Sequence, residues 1–215
     1  MNTQKTFEYI LFDWDGCLGD SLELWYEAYR KLFQQYGVAL TRHAFTEKVL
    51  GDWEGPAQLG IQNLTDFNEK LLKVAETKVI QANLNSNTSK TLKVLKQRGK
   101  KLAIVTNSSR QAVEKSIVHN RLTGMFDVVL GIEDVKQGKP HPEIVEKAVA
   151  LLGANKSQTL VVGDLDKDIL AGKGAGITTV WYRSKTNSFQ NNLTLTKVSA
   201  DYVINDFSEL VEIVN

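Results

Sequence analysis

Acidic and polar side chains in this sequence follow directly after short apolar runs, and such runs are typical of buried strands. In chain order they are Asp13 and Asp15 after Tyr9–Phe12, Thr106 and Asn107 after Leu102–Val105, and Asp164 and Asp168 after Leu160–Val162. Ligands of open parallel sheets bind outside the carboxyl ends of the strands. We therefore expect these side chains to meet at one edge of a sheet. Lys139, which opens a predicted helix, is expected beside them.

Together these groups are suited to the transfer of a phosphoryl group. The four carboxylates contribute a charge of −4 when ionised and Lys139 returns +1, so a phosphate dianion is repelled unless a divalent cation is bound. Oxygen ligands favour Mg2+, whereas Zn2+ prefers His or Cys. A carboxylate can then attack phosphorus while the metal, Lys139 and the Thr106 hydroxyl neutralise charge on the transferring oxygens.

The elements that must position these residues alternate along the chain. Strand candidates are Tyr9–Phe12, Leu102–Val105, Val128–Leu130, Leu160–Val162, Thr178–Trp181 and Tyr202–Ile204. Helical patterns lie near Ser89–Gln97, Arg110–Asn120, Pro142–Leu152, Asp166–Ala175 and Phe207–Val214. This alternation, with strands that are continuously apolar, predicts an α/β fold with a doubly wound, mostly parallel sheet, a Rossmann-like core. A Ser-, Asn- and Thr-rich stretch at 184–197 is predicted to be a surface loop.

One long stretch has no strand candidate. From Ser21 to about Asn85 the apolar residues recur at helical spacing, as Leu22, Trp25 and Tyr29 do. The pattern predicts an inserted all-helical subdomain. We assign residues 17–85 to this insertion and residues 1–16 and 86–215 to the catalytic core.

The polar segments resemble the four motifs of the haloacid dehalogenase-like hydrolases. They are Phe12–Ser21, Val105–Ser108, Gly138–Glu143, and Val162–Ile169 with Ala171–Ile177. The resemblance covers nearly the whole chain. It is strongest to the phosphoglycolate phosphatase and β-phosphoglucomutase branch, in which a small helical cap follows the first motif. The resemblance therefore implies that residues 17–85 form a cap, and Trp53, in an apparent loop of it, is a candidate substrate contact.

The resemblance also implies roles for the carboxylates. Asp13 would be the nucleophile and a metal ligand. Asp15 would be the general acid and base, and its backbone carbonyl would also bind Mg2+. Asp164 would ligate the metal, and Asp168 would ligate it or support it through water.

The same resemblance implies that Thr106, Asn107 and Lys139 hold the phosphoryl oxygens. The chain departs from the usual motif at two positions, where Cys17 replaces a threonine and Gly19 stands in place of an apolar residue. Neither departure removes a catalytic group.

These observations predict a Mg2+-dependent phosphatase that hydrolyses a small phosphorylated metabolite through an aspartyl-phosphate on Asp13. One alternative is a sugar-phosphate mutase of the β-phosphoglucomutase type, which is disfavoured because Leu50–Pro56 lacks the expected Ser-Arg pattern. Another is a phospho-accepting signalling domain. Asp15, the helical insertion and the motif at Asp164 speak against it.

Composition excludes several other classes. The 215 residues carry a formal net charge of +1, which gives no field favouring nucleic acid or anionic membranes. The one cysteine cannot form an intrachain disulfide, which fits a reducing compartment. Apolar runs fall far short of the roughly 18 residues of a membrane span, and no signal peptide is recognisable at the start. We therefore expect a cytoplasmic enzyme without a nucleic-acid or membrane partner.

Overall fold

Six strands form one sheet in the computed structural model of the chain, which describes residues 6–184, 189 and 198–214. They are β1 (Tyr9–Phe12), β2 (Lys101–Val105), β3 (Val128–Leu130), β4 (Thr159–Gly163), β5 (Thr178–Tyr182) and β6 (Tyr202–Ile204). Their order is β3-β2-β1-β4-β5-β6, and every neighbouring pair is parallel. The predicted doubly wound parallel sheet is confirmed.

Both faces of the sheet are covered, which explains the unbroken apolar runs of its strands. Along β1, Ile10 and Phe12 belong to one buried cluster, and Leu11 belongs to another. The register pairs Phe12 with Ile104 of β2 and with Val162 of β4. The three central strands therefore end close to one level, and the residues that follow them start from the same edge.

The helices are α1 (Leu22–Gln35), α2 (Arg42–Ala44), α3 (Leu64–Val79), α4 (Thr88–Gln97), α5 (Arg110–His119), α6 (Glu143–Leu151), α7 (Asp166–Gly174) and α8 (Leu210–Ile213). Helices α4, α5 and α8 contribute to the cluster of Phe12, whereas α6 and α7 contribute to the cluster of Leu11. The predicted helix at the end of the chain begins as a 3-10 turn, Phe207–Glu209, before it becomes α8.

The chain divides into two compact units. Met1–Asp20 together with Asn83–Asn215 forms the core unit, which holds the sheet, and Ser21–Ala82 forms the helical unit. In the helical unit, α1 and α3 are joined by shorter pieces, among them a π-helical turn at Phe45–Val49 and a 3-10 turn at Gly55–Leu59.

The interior of the helical unit is aromatic. Phe33 of α1 and Phe67 of α3 have ring centroids 4.9 Å apart, and the Tyr29 ring lies 5.7 Å from that of Phe45. All four side chains are buried. The helical spacing of aromatic residues along α1 therefore reflects the side of the helix that packs against the rest of this unit.

Among the described residues, none of the helices combines the length and the apolar character that crossing a bilayer requires. The predicted surface loop at 184–197 lies largely outside the described residues.

Candidate active site

Three carboxylates meet at the carboxyl edge of the sheet. Asp13 follows β1, Asp164 follows β4, and Asp168 lies in the first turn of α7. One oxygen from each lies within 4.8 Å of the others, and all three residues are buried. They meet because β1 and β4 are neighbouring strands that end at the same level. The Asp13 N–H donates to Val162 O at 2.9 Å, which extends the pairing of the two strands by one residue.

Lys139 supplies a positive charge to this cluster. Its Nζ lies 2.7 Å from Asp13 Oδ1 and 2.6 Å from Asp168 Oδ1, and it donates a hydrogen bond to Val105 O at 2.9 Å. The ammonium group is fully buried. The sequence predicted Lys139 at this edge, and the structure places it there.

The electrostatics follow from burial and from this pairing. Burial raises the pKa of Asp13 to about 6, although the nearby Lys139 acts in the opposite direction. Burial alone would lower the pKa of Lys139, but the charges of Asp13 and Asp168 outweigh it and hold that pKa above its ordinary value. The lysine is therefore a permanent cation at neutral pH.

Asn107 holds the backbone of Lys139. Its Oδ1 accepts the Lys139 N–H at 2.8 Å, and its Nδ2 donates to Lys139 O at 2.8 Å. A Cβ on Gly138 would lie 2.7 Å from Asn107 Oδ1, so glycine is needed at that position for the two segments to approach. The peptide bond between Lys139 and Pro140 is cis. The Asn107 side chain thus contacts the lysine backbone from the end of the neighbouring strand.

Asp164 and Asp168 are placed by contacts of the segment after β4. Asp168 Oδ2 accepts the backbone N–H of Leu165 at 3.0 Å, which caps the start of α7. A Cβ on Gly163 would lie 2.2 Å from the Asp168 Cβ, so only glycine allows this approach. Trp181 of β5 donates from Nε1 to the carbonyl oxygen of Asp164 at 2.9 Å.

Asp15 lies outside the three-carboxylate cluster and has a neutral partner. Ser108 Oγ donates to Asp15 Oδ2 at 2.5 Å. The backbone N–H of Ser108 donates to Thr106 Oγ1 at 3.1 Å, and Thr106 is buried. Ser108, in the segment after β2, therefore bonds to both the Thr106 hydroxyl and the Asp15 carboxyl.

The loop after β1 is closed by its own backbone. Gly16 N–H bonds to Gly19 O at 2.9 Å, and Gly19 N–H bonds to Trp14 O at 2.8 Å. A Cβ on Gly19 would lie 3.2 Å from Trp14 Nε1. The indole of Trp14 therefore lies close to the place where a side chain at position 19 would begin, which fits the absence of an apolar side chain there.

Cys17 lies in the same loop and is buried. Its Sγ contacts Val162 O at 3.6 Å. Burial, reinforced by the charge of Asp13, raises the pKa of the thiol well above its ordinary value. The replacement of the usual threonine therefore leaves a neutral thiol at neutral pH, which packs as a small apolar side chain.

The donor set fits a Mg2+ ion. Asp13, Asp164 and Asp168 offer a charge of −3 within 4.8 Å, and Lys139 contacts Asp13 and Asp168. Three buried carboxylates with one ammonium leave a net charge of about −2, which a divalent cation would balance. All the side-chain ligand atoms are carboxylate oxygens, which Mg2+ prefers.

Sequence reasoning missed three positioning contacts. The bond from Ser108 to Asp15, the bond from Trp181 to Asp164 and the amide of Asn107 on Lys139 were not foreseen. Asn107 and Ser108 both lie in the motif segment Val105–Ser108, so their polar side chains were the signal available for two of the three contacts. No spacing rule connects Trp181 to a residue 17 positions earlier.

Comparison with known proteins identifies this arrangement. Residues 10–182 match the family model of the haloacid dehalogenase-like hydrolases. Pyrophosphatase PpaX of Bacillus mycoides (strain KBAB4) is 39% identical over 125 residues, which are 58% of this chain and 57% of that protein. The chain thus matches little more than half the length of this relative.

Solved structures share the fold. A protein of Lactobacillus plantarum assigned as a phosphoglycolate phosphatase superposes with a TM-score of 0.86 at 17% identity, covering 97% of this chain and 99% of that one. CbbY of Rhodobacter sphaeroides, solved in complex with phosphate, has a TM-score of 0.79 at 24% identity and covers 95% and 96% of the two chains. At these identities the likeness concerns the fold.

Proposed function

Because this chain belongs to the haloacid dehalogenase-like hydrolase family, we propose that it is a Mg2+-dependent phosphatase acting on a small phosphomonoester. The observation that carries the proposal is the buried group of Asp13, Asp164 and Asp168 beside the Lys139 ammonium. A structural role alone does not account for three buried carboxylates, since taking charges out of water costs several kcal/mol per ion.

Asp13 is the proposed nucleophile, and its carboxylate forms an aspartyl-phosphate. One of its oxygens bonds to phosphorus while the bond from phosphorus to the leaving oxygen breaks, and Asp15 donates a proton to that oxygen. In the second half of the reaction Asp15 takes a proton from water. The resulting hydroxide attacks phosphorus, phosphate leaves, and the Asp13 carboxylate is restored.

Lys139 and Thr106 are the proposed contacts for the transferring oxygens. The ammonium already lies 2.7 Å from the nucleophile, so it can follow the negative charge from carboxylate to phosphoryl group. The side chain of Asn107 bonds to the Lys139 backbone. We therefore assign Asn107 to the substrate site because its side chain fixes the backbone of Lys139.

Asp13, Asp164 and Asp168 are the proposed side-chain ligands of Mg2+, and the family resemblance adds the backbone carbonyl of Asp15. When bound, Mg2+ offsets the repulsion between the carboxylates and the substrate dianion and draws charge from the phosphoryl oxygens. Asp168 combines this role with its contact to Lys139.

The helical unit is proposed to act as a cap that selects the substrate. The proposed cap, residues 17–85, contains the helical unit Ser21–Ala82 together with a few flanking residues of the core unit, and the proposed core is residues 1–16 and 86–215. Trp53 is the proposed contact for the leaving group, because an indole can contact apolar surface and donate a hydrogen bond. A cytoplasmic location, with no nucleic-acid or membrane partner, completes the proposal.

The test is a screen for phosphate release from p-nitrophenyl phosphate and a panel of phosphorylated metabolites, with Mg2+ and with EDTA. We expect turnover with Mg2+, loss in EDTA, and recovery when Mg2+ is returned. Full turnover in EDTA would contradict the metal assignment, and no phosphate release from any ester would contradict the phosphatase.

Inorganic pyrophosphate is a second candidate substrate, because the relative from Bacillus mycoides is a pyrophosphatase. The same screen includes it under identical conditions. Formation of an isomeric sugar phosphate without net phosphate release would instead indicate a mutase.

A further inference from the structure

The carboxyl of Asp15 has a serine hydroxyl among its partners. Asp13 and Asp168 contact the Lys139 ammonium, whereas Asp15 Oδ2 accepts a hydrogen bond from the Ser108 hydroxyl at 2.5 Å. We propose that Ser108 is a positioning residue that keeps the Asp15 carboxyl in one orientation through both halves of the reaction. This inference rests on the proposed function.

Ser108 is well fixed for this task. Its backbone N–H donates to Thr106 Oγ1 at 3.1 Å, and its backbone oxygen accepts from the Ile132 N–H at 3.1 Å. Contacts from the ends of β2 and β3 thus determine where the hydroxyl lies. The hydroxyl then bridges from the segment after β2 to the loop after β1, where Asp15 lies.

The chemistry of a hydroxyl suits a carboxyl that gives and takes a proton. A serine hydroxyl can donate to a carboxylate, and it can also accept from a protonated carboxyl, whereas an ammonium can only donate. With Ser108 as a partner, the carboxyl can keep this hydrogen bond before and after it protonates the leaving oxygen.

Two other roles for Ser108 predict different kinetics. A hydroxyl that bound the transferring phosphoryl group would assist every substrate equally, because all esters share that group. A hydroxyl needed only for folding would affect stability more than turnover. A positioning role for Asp15 predicts a loss that depends on how much the leaving oxygen needs a proton.

The experiment compares Ser108→Ala with wild type on two esters, p-nitrophenyl phosphate and the best alkyl phosphate of the substrate screen. We expect kcat on the alkyl ester to fall about 10- to 100-fold, because general acid catalysis contributes about 100- to 10,000-fold and would be partly lost. On p-nitrophenyl phosphate, whose leaving group departs without a proton, we expect at most about a 3-fold loss.

Matched variants separate this effect from general damage. Ser109→Ala removes a neighbouring hydroxyl that bonds to Glu133, and we expect wild-type kinetics on both esters. Ser108→Thr retains a hydroxyl and is expected to recover most of the activity on the alkyl ester. In an Asp15→Asn background, Ser108→Ala should cost nothing further on that ester.

Equal losses on the two esters would overturn the inference, as would a rise in KM with unchanged kcat. Fully independent losses from Ser108→Ala and Asp15→Asn would also overturn it. Failure of the proposed function looks different, because wild type would then release phosphate from neither ester.

Discussion

The two units of the molecule differ in how deeply their ion pairs are buried. In the core unit, Lys139 contacts Asp13 and Asp168 where all three side chains are at most 4% exposed. In the helical unit, the ion pairs are at the surface: in the pair of Lys70 and Asp66 the side chains are 50% and 42% exposed. No buried charged side chain occurs among the described side chains of the helical unit.

The difference shows that the charged groups that are costly for stability lie in the core unit. Exposed ion pairs contribute little, whereas buried charges are costly unless they are paired. The helical unit has an ordinary aromatic interior, and the core unit holds a cluster of charges that packing alone does not require. We therefore expect equivalent substitutions in the two units to differ sharply.

The largest contrast is expected for Asp13→Asn and Asp66→Asn, the same chemical change in each unit. Asp13→Asn removes the attacking charge with little change in shape, so phosphate release should fall at least about 1000-fold. Asp66→Asn should keep wild-type turnover. Phosphate-release assays with circular dichroism of both variants check this, and substantial activity in Asp13→Asn would move the nucleophile elsewhere.

The next contrast concerns stability, through Lys139→Met and Lys70→Met. Lys139→Met leaves buried carboxylates without their ammonium and should lower the free energy of unfolding by about 3–5 kcal/mol. Lys70→Met should leave it unchanged within error. Urea denaturation in EDTA measures both values. Equal effects would show that the buried and the exposed pairs are energetically alike.

The pH dependence of stability should differ in sign between the units. In the metal-free protein the pKa of Asp13 is raised to about 6, so the folded state retains a proton that the unfolded state has lost above about pH 4. This group therefore makes stability fall as pH rises from about 4 to 6, by about 3 kcal/mol in all.

Asp66 should act in the opposite direction. The hydrogen bond from Lys70 lowers the pKa of Asp66, so its contribution is present above the unfolded-state pKa and is lost as pH falls. Denaturation of wild type, Asp13→Asn and Asp66→Asn in EDTA from pH 3 to 7 separates the two contributions. Parallel curves for wild type and Asp13→Asn would contradict the burial of a carboxyl at position 13.

The smallest effect is expected in the helical unit, from Trp53→Ala. The Trp53 ring lies edge-on to that of Trp25 at 6.2 Å, and Asn68 Nδ2 donates to the Trp53 carbonyl at 3.1 Å. Removal of the ring should reduce kcat/KM several-fold on the best metabolite and much less on p-nitrophenyl phosphate, since a selecting contact affects binding of the leaving group. Equal losses on both would assign Trp53 a structural role.

Much of the core unit could be predicted from the sequence. β1, β3 and β6 begin and end where the apolar runs do, and each run is bounded at both ends by a polar residue or a glycine. The convergence of Asp13, Asp164 and Lys139 followed from the rule that parallel strands present their carboxyl ends at one edge.

Contacts that depend on loop geometry could not be predicted. The Asn107 amide meets the Lys139 backbone 32 residues later, and Ser108 meets Asp15 93 residues earlier. In the helical unit, the chain between α1 and α3 passes through α2, a π-helical turn and a 3-10 turn. A periodic pattern indicates helix there, but it does not distinguish one long helix from several short pieces.

The close approach of Trp14 to Gly19 also limits how this loop can vary during evolution. A methyl group at position 19 would meet the indole nitrogen at 3.2 Å, whereas a smaller side chain at position 14 would leave room for it. The two positions are therefore expected to covary, because a side chain at position 19 is accommodated more easily where the side chain at position 14 is smaller.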